Sequence, residues 1–127
     1  MQASNAMPIR VLTVDDSASM RALLLGALTS RGFAVDQCVD GQEALEWLAT
    51  NEVDVIITDI NMPRLDGFGL IEKLRASALH AERPILVLTT ESSEEKKQRA
   101  RNAGATGWIV KPFDADKLTA ALRRVIH

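Results

Sequence analysis

The chain has 127 residues, 46% of them apolar and 25% charged, with a formal net charge of −2 and one cysteine. That length suits one domain able to bury roughly two thirds of the surface its unfolded form exposes, and no apolar run reaches the ~18 residues a membrane-spanning helix requires. The lone Cys38 excludes an internal disulfide and any multi-cysteine metal site, and with no secretory h-region in view the expected location is cytoplasmic.

Residues 1–7 have no periodicity and contain a second methionine, Met7, so they read as an expression remnant ahead of a single domain over 8–127. Five short apolar, β-branched runs follow: 9–14, 34–39, 53–57, 85–88 and 108–110. Their lengths predict strands. Between them, 17–31 carries Leu23, Ala27 and Leu28 as one stripe with Leu24 beside it, 41–50 carries Ala44, Leu45 and Leu48, and 67–77 carries Leu70, Ile71 and Leu74. The last segment repeats Leu118, Ala121, Leu122, Val125 and Ile126 at helical spacing. In contrast, 92–103 leaves only Ala100 and Ala103 to pack, which predicts a loosely held helix. Ser17, Asp40-Gly41, Asp66-Gly67, Gly32 and Gly104 supply start and stop signals in the right places.

A β-α unit repeated five times predicts an α/β domain with a parallel sheet and helices on both faces, because parallel crossovers need a helix and are right-handed. Ligands of such sheets lie beyond the carboxyl ends of the strands. There the sequence places Asp15 and Asp16 after the first strand, Asp59 and Asn61 after the third, Thr89 and Thr90 after the fourth, and Lys111-Pro112 after the fifth. Three clustered carboxylates repel one another unless a cation sits among them, and Mg²⁺, which binds through one or two carboxylates plus water and phosphate oxygens, fits that need. Lys111 then offers a point charge for an anion. Taken singly, each residue has a plain structural reading: Asp15 or Asp16 as a helix cap, Asp59 as a turn residue, Thr89 as a backbone partner, Lys111 as a solvated lysine. It is the set at four of five strand ends that points to chemistry.

Charge is divided as well. Residues 1–90 hold 7 Lys/Arg and 12 Asp/Glu, a net of −5, and residues 91–127 hold 8 and 5, a net of +3. This predicts an acidic site and a basic face; without a dense basic stripe, interleaved aromatics or any Tyr, it argues against direct nucleic-acid binding.

Val14-Asp15-Asp16-Ser17, Thr58-Asp59-Ile60-Asn61-Met62-Pro63 with Asp66-Gly67, Leu88-Thr89-Thr90 and Val110-Lys111-Pro112-Phe113 resemble the signature of response-regulator receiver domains of the single-domain chemotaxis type. The resemblance covers 8–127 and implies a flavodoxin-like (βα)5 fold with strand order 2-1-3-4-5. It implies that Asp59 accepts a phosphoryl group from a histidine kinase, that Asp15, Asp16, Asp59 and the Asn61 carbonyl hold Mg²⁺, and that Lys111 and Thr89 contact the phosphoryl oxygens. Thr90 borders the site, the Lys111–Pro112 bond is implied to be cis, and Trp108 stands where the family usually has Tyr or Phe as a conformational switch. The implied output is a downstream protein bound through the fourth helix, fifth strand and fifth helix, by a monomer or a weak phosphorylation-dependent dimer. Such a domain assists its own phosphotransfer and dephosphorylation and acts on no separate substrate.

Two other readings compete. An aspartate-nucleophile phosphatase of the haloacid dehalogenase type needs Asp-x-Asp after the first strand, where this chain has Asp15-Asp16-Ser17. A receiver-like module that works without phosphorylation would not need the complete acceptor set found here.

Overall fold

The computed structural model describes residues 7–126; the remnant expected over 1–7 lies outside them except for Met7, which is exposed. Elements alternate as β1 (Arg10–Val14), α1 (Ala18–Thr29), β2 (Ala34–Cys38), α2 (Gly41–Leu48), β3 (Val55–Thr58), α3 (Gly67–Ala76), β4 (Ile85–Thr89), α4 (Glu94–Ala103), β5 (Gly107–Val110) and α5 (Ala115–Val125). The five strands form one parallel sheet in the order β2-β1-β3-β4-β5. This is the flavodoxin-like arrangement, with its reversal between β1 and β3.

Each helix begins where a short polar side chain captures a free backbone N–H. Ser17 accepts from Met20, Asp40 from Glu43, Asp66 from Gly69, Ser93 from Lys96 and Asp114 from Lys117. Such caps satisfy donors that the first helical turn leaves orphaned. At the other end of α4, Gly104 takes φ 115, a left-handed conformation that suits glycine.

Two apolar layers sandwich the sheet. Leu12, Ile56, Ile60, Phe68, Leu70, Ile71, Val87 and Ala100 belong to the layer beneath α2, α3 and α4. Val11, Leu24, Leu28, Val55, Ile57, Leu86, Leu118 and Leu122 belong to the one beneath α1 and α5. Alternate residues of β3 enter opposite layers, which is why all four of its residues are buried. Truncating a central one, such as Ile56 to Ala, should cost about 2–5 kcal/mol.

The stripe expected on the first helix needs correction. Leu24 and Leu28 are buried, whereas Leu23 is 60% exposed. Three consecutive leucines, 23–25, let the helical phase be read more than one way, and packing against the sheet and α5 selects one. In α4 only Ala100 is buried, as its composition predicts.

Candidate functional site at the carboxyl edge of the sheet

The β1–β3 and β1–β2 ladders bring two carboxylates to one edge. The Asp59 N–H donates to Val14 O at 2.9 Å and the Asp15 N–H to Cys38 O at 3.1 Å, so both backbones are pinned as the strands end. Across the sheet, the Lys111 N–H donates to Thr89 O at 2.7 Å, which fixes the start of the lysine's reach. The Lys111–Pro112 peptide bond is cis.

Lys111 Nζ then lies 2.8 Å from Asp59 Oδ2 and 2.9 Å from Asp15 Oδ2. Each carboxylate uses its other oxygen locally. Asp59 Oδ1 accepts from the Ile60 N–H, and Asp15 Oδ1 from the Ser17 N–H at 2.9 Å. The three side chains are only 3–12% exposed. Burial works against the ammonium's charge, but its hydrogen bonds to Asp59 and Asp15 outweigh that, and the Lys111 pKa is raised overall. One buried cation thus balances two buried anions, a grouping that is costly unless all of its members are present.

The other residues singled out in the sequence take different places. Asp16 is exposed beside this cluster, Thr89 is fully buried at the end of β4, and Thr90 is exposed. Thr89 Oγ1 accepts from the Glu91 N–H at 3.3 Å. The Asn61 side chain donates to Glu91 Oε1 at 3.0 Å, and Lys96 Nζ lies 2.9 Å from the same oxygen. Those two partners, Lys96 foremost, hold the Glu91 carboxyl below its ordinary range. Trp108 is half-buried against the layer that includes Ala100, and its Nε1 is buried without a hydrogen-bond partner among the described residues.

Several neighbours escape sequence reasoning. Glu91 links the β3–α3 loop to α4, Arg21 donates to the Asp15 carbonyl, and Arg64 pairs with Asp40. Nothing in local periodicity marks them.

Among the described residues, no three His, Cys, Asp or Glu side chains gather into a ready metal site. Asp15 and Asp59 nevertheless share one cation position, held by Lys111, with the Asp16 carboxyl adjacent in sequence. An all-oxygen donor set of one or two carboxylates is what Mg²⁺ uses, so the residues fit that ion. A cavity of about 450 Å³ between α3 and α4 is lined by residues such as Glu72 and Arg99 and contains none of these groups.

A Lys-bridged carboxylate pair therefore sits at the switch point of a doubly wound parallel sheet, the place where such folds hold their ligands. The response regulator receiver domain family matches residues 11–123, and the chain belongs to that family. It is 43% identical to the chemotaxis response regulator CheY4 of Vibrio cholerae, with a TM-score of 0.89 over 94% of this chain and 100% of that one. The receiver domain of the sensor histidine kinase PA1611 of Pseudomonas aeruginosa PAO1, 26% identical with a TM-score of 0.86 over 93% of both chains, carries a magnesium ion in its active-site cleft. Response regulator MprA of Mycobacterium sp. (strain KMS) is 38% identical over 121 residues, which are 95% of this chain and 52% of that protein. The chain therefore spans about half the length of the curated relatives it matches.

Proposed function

We propose that Asp59 accepts a phosphoryl group from a phosphohistidine of a partner kinase in an Mg²⁺-dependent reaction. The observation that carries this reading is the 2.8 Å approach of Lys111 Nζ to Asp59 Oδ2, with the same ammonium held by Asp15. An Asp59 oxygen attacks phosphorus as the P–N bond breaks, and the departing imidazole keeps the bond's electron pair. Such transfers depend on positioning and charge neutralisation. Lys111 does both: it orients Asp59 in the resting site and can follow a phosphoryl oxygen once that group arrives.

Asp15, Asp16, Asp59 and the Asn61 carbonyl are the groups that would hold Mg²⁺. When bound, the ion neutralises charge on the phosphoryl oxygens. Thr89, buried at the strand end, supplies a hydroxyl for the modified Asp59, and Thr90 borders the same opening. The modification adds about −1.5 to −2 charges beside β4 and β5. Trp108 and the thinly packed α4 are the elements that would convert this into a changed α4–β5–α5 surface for a protein partner. The absence of any helix long and apolar enough to cross a membrane among the described residues is compatible with a cytoplasmic setting.

Intact-mass measurement after incubation with acetyl phosphate tests the reading. One added phosphoryl group is expected on the wild type with Mg²⁺, and none with EDTA or in Asp59→Asn. Modification that persists in Asp59→Asn would sink the acceptor assignment, and an unmodified wild type would favour a phosphorylation-independent module.

A further inference from the structure

The loop from Ile60 to Asp66 leaves the proposed acceptor and returns to it. At its base the Gly67 N–H donates to Ile60 O at 2.8 Å, and the space where a Gly67 Cβ would stand is 2.3 Å from Asp59 O. At its tip the loop meets a different part of the fold. The Gly41 N–H donates to Leu65 O at 3.0 Å, and a Cβ on Gly41 would lie 2.5 Å from that oxygen. Beside this contact, Arg64 Nε donates to Asp40 Oδ2 at 2.8 Å and Arg64 Nη2 to Asp40 Oδ1 at 3.1 Å.

Asp40 is 3% exposed and also caps α2, accepting from the Glu43 N–H at 2.9 Å. Arg64 has φ 66, the one non-glycine positive φ among the described residues. A left-handed turn alone is better served by glycine, which has no Cβ to crowd the backbone. Arginine at this position therefore carries a conformational cost that its two-pronged bond to a buried carboxylate offsets. Asn61 lies between this tip and Asp59, so where the tip is held affects where the Asn61 carbonyl sits.

We propose that Arg64 and Asp40 form a clamp between α2 and the β3–α3 loop that presets the loop for cation and phosphoryl binding. Arg64 is then a positioning residue that touches neither ligand. The proposal rests on the reading of Asp59 as acceptor and adds to it a contact between two residues 24 positions apart in sequence.

Three variants test the clamp. Arg64→Gly removes the guanidinium while relieving the left-handed backbone. Asp40→Asn keeps a helix-capping oxygen but loses the charge. Arg64→Lys keeps the charge without the fork. Mg²⁺ affinity, titrated by calorimetry with no phosphodonor present, should fall on the order of 10-fold in the first two, the scale seen when a group that orients a metal ligand is lost. Arg64→Lys should recover part of that loss. The double variant Arg64→Gly/Asp40→Asn should be no worse than either single, because one interaction is removed twice. Melting of Arg64→Gly in EDTA should stay close to the wild type, because relief of the left-handed backbone offsets the lost bond to Asp40.

Wild-type Mg²⁺ affinity in Arg64→Gly, or additive losses in the double variant, overturns the clamp. So does a melting decrease large enough to account for the weakened binding. A wild type that binds Mg²⁺ but takes no phosphoryl group defeats the acceptor reading instead, and the Mg²⁺ titrations still decide the clamp.

Discussion

Lys111 Nζ, projecting from the end of β5, lies 2.8 Å from Asp59 Oδ2 at the end of β3, and it is held there by a second carboxylate, Asp15, at 2.9 Å. Replacing Lys111 with Met leaves two nearly buried carboxylates facing one another without a counter-charge. Stability in EDTA should fall by about 2–4 kcal/mol, near the range for breaking a buried ion pair. Mg²⁺ should restore more stability to this variant than to the wild type. Urea unfolding with and without Mg²⁺ measures both; an unchanged midpoint in EDTA contradicts the ion-pair argument.

The same geometry predicts a limb of the pH profile at each end. The folded pKa of Lys111 is raised above its ordinary 10.5, so its contribution is complete below pH 10.5 and is lost as pH rises through the higher folded value. At the acid end, the Arg64 hydrogen bond holds the Asp40 carboxyl below its ordinary 3.8. That contribution is complete above pH 3.8 and disappears as pH falls through the lower folded value. Urea midpoints against pH should lose the alkaline limb in Lys111→Met and flatten at the acid end in Arg64→Gly.

Two glycines should respond to alanine with opposite signs. At Gly67 the new Cβ would meet the Asp59 carbonyl oxygen at 2.3 Å and Ile60 Cα at 2.9 Å, and both are backbone atoms that cannot swing aside. Gly67→Ala should cost about 1–3 kcal/mol or more and slow phosphorylation, since the displaced atom belongs to Asp59 itself. At Gly26, inside α1, a Cβ has nothing within 4 Å. Gly26→Ala should stabilise by about 0.5–1 kcal/mol. Thermal unfolding of the two variants gives the comparison.

Cys38 should be silent in the folded protein. Its thiol is pushed up to about 12, first by burial and then by the negative charge of Glu43, and the residue is only 2% exposed. A thiolate-selective reagent at pH 8 should label it on the timescale of unfolding and promptly in denaturant. Fast labelling of the native protein would mean that the end of β2 opens.

Much of this fold is local in origin. Ser17, Asp40 and Asp66 start helices because their side chains reach N–H groups three residues on, and the side chains of β3 enter the two layers in turn because a strand has a two-residue period. The phase of α1 was less legible. Its three leucines satisfy more than one helical face, and the layer beneath α1 and α5 decides that Leu24 and Leu28 enter while Leu23 stays exposed.

For the site, sequence determined the chemical types at the strand ends and their order, because β-α alternation assigns each ending to one edge of the sheet. It did not determine distance. Tertiary structure alone decided that Asp15 and Asp59 share Lys111 while Asp16 stands exposed, that Glu91 joins Asn61 to Lys96, and that Arg64 grips Asp40. These contacts join residues 24 to 96 positions apart, except for Glu91 and Lys96, which meet across the start of α4. A period of two or 3.6 residues carries no information over such spans; the β2-β1-β3-β4-β5 order and the loops folded onto it set which side chains arrive within hydrogen-bond reach.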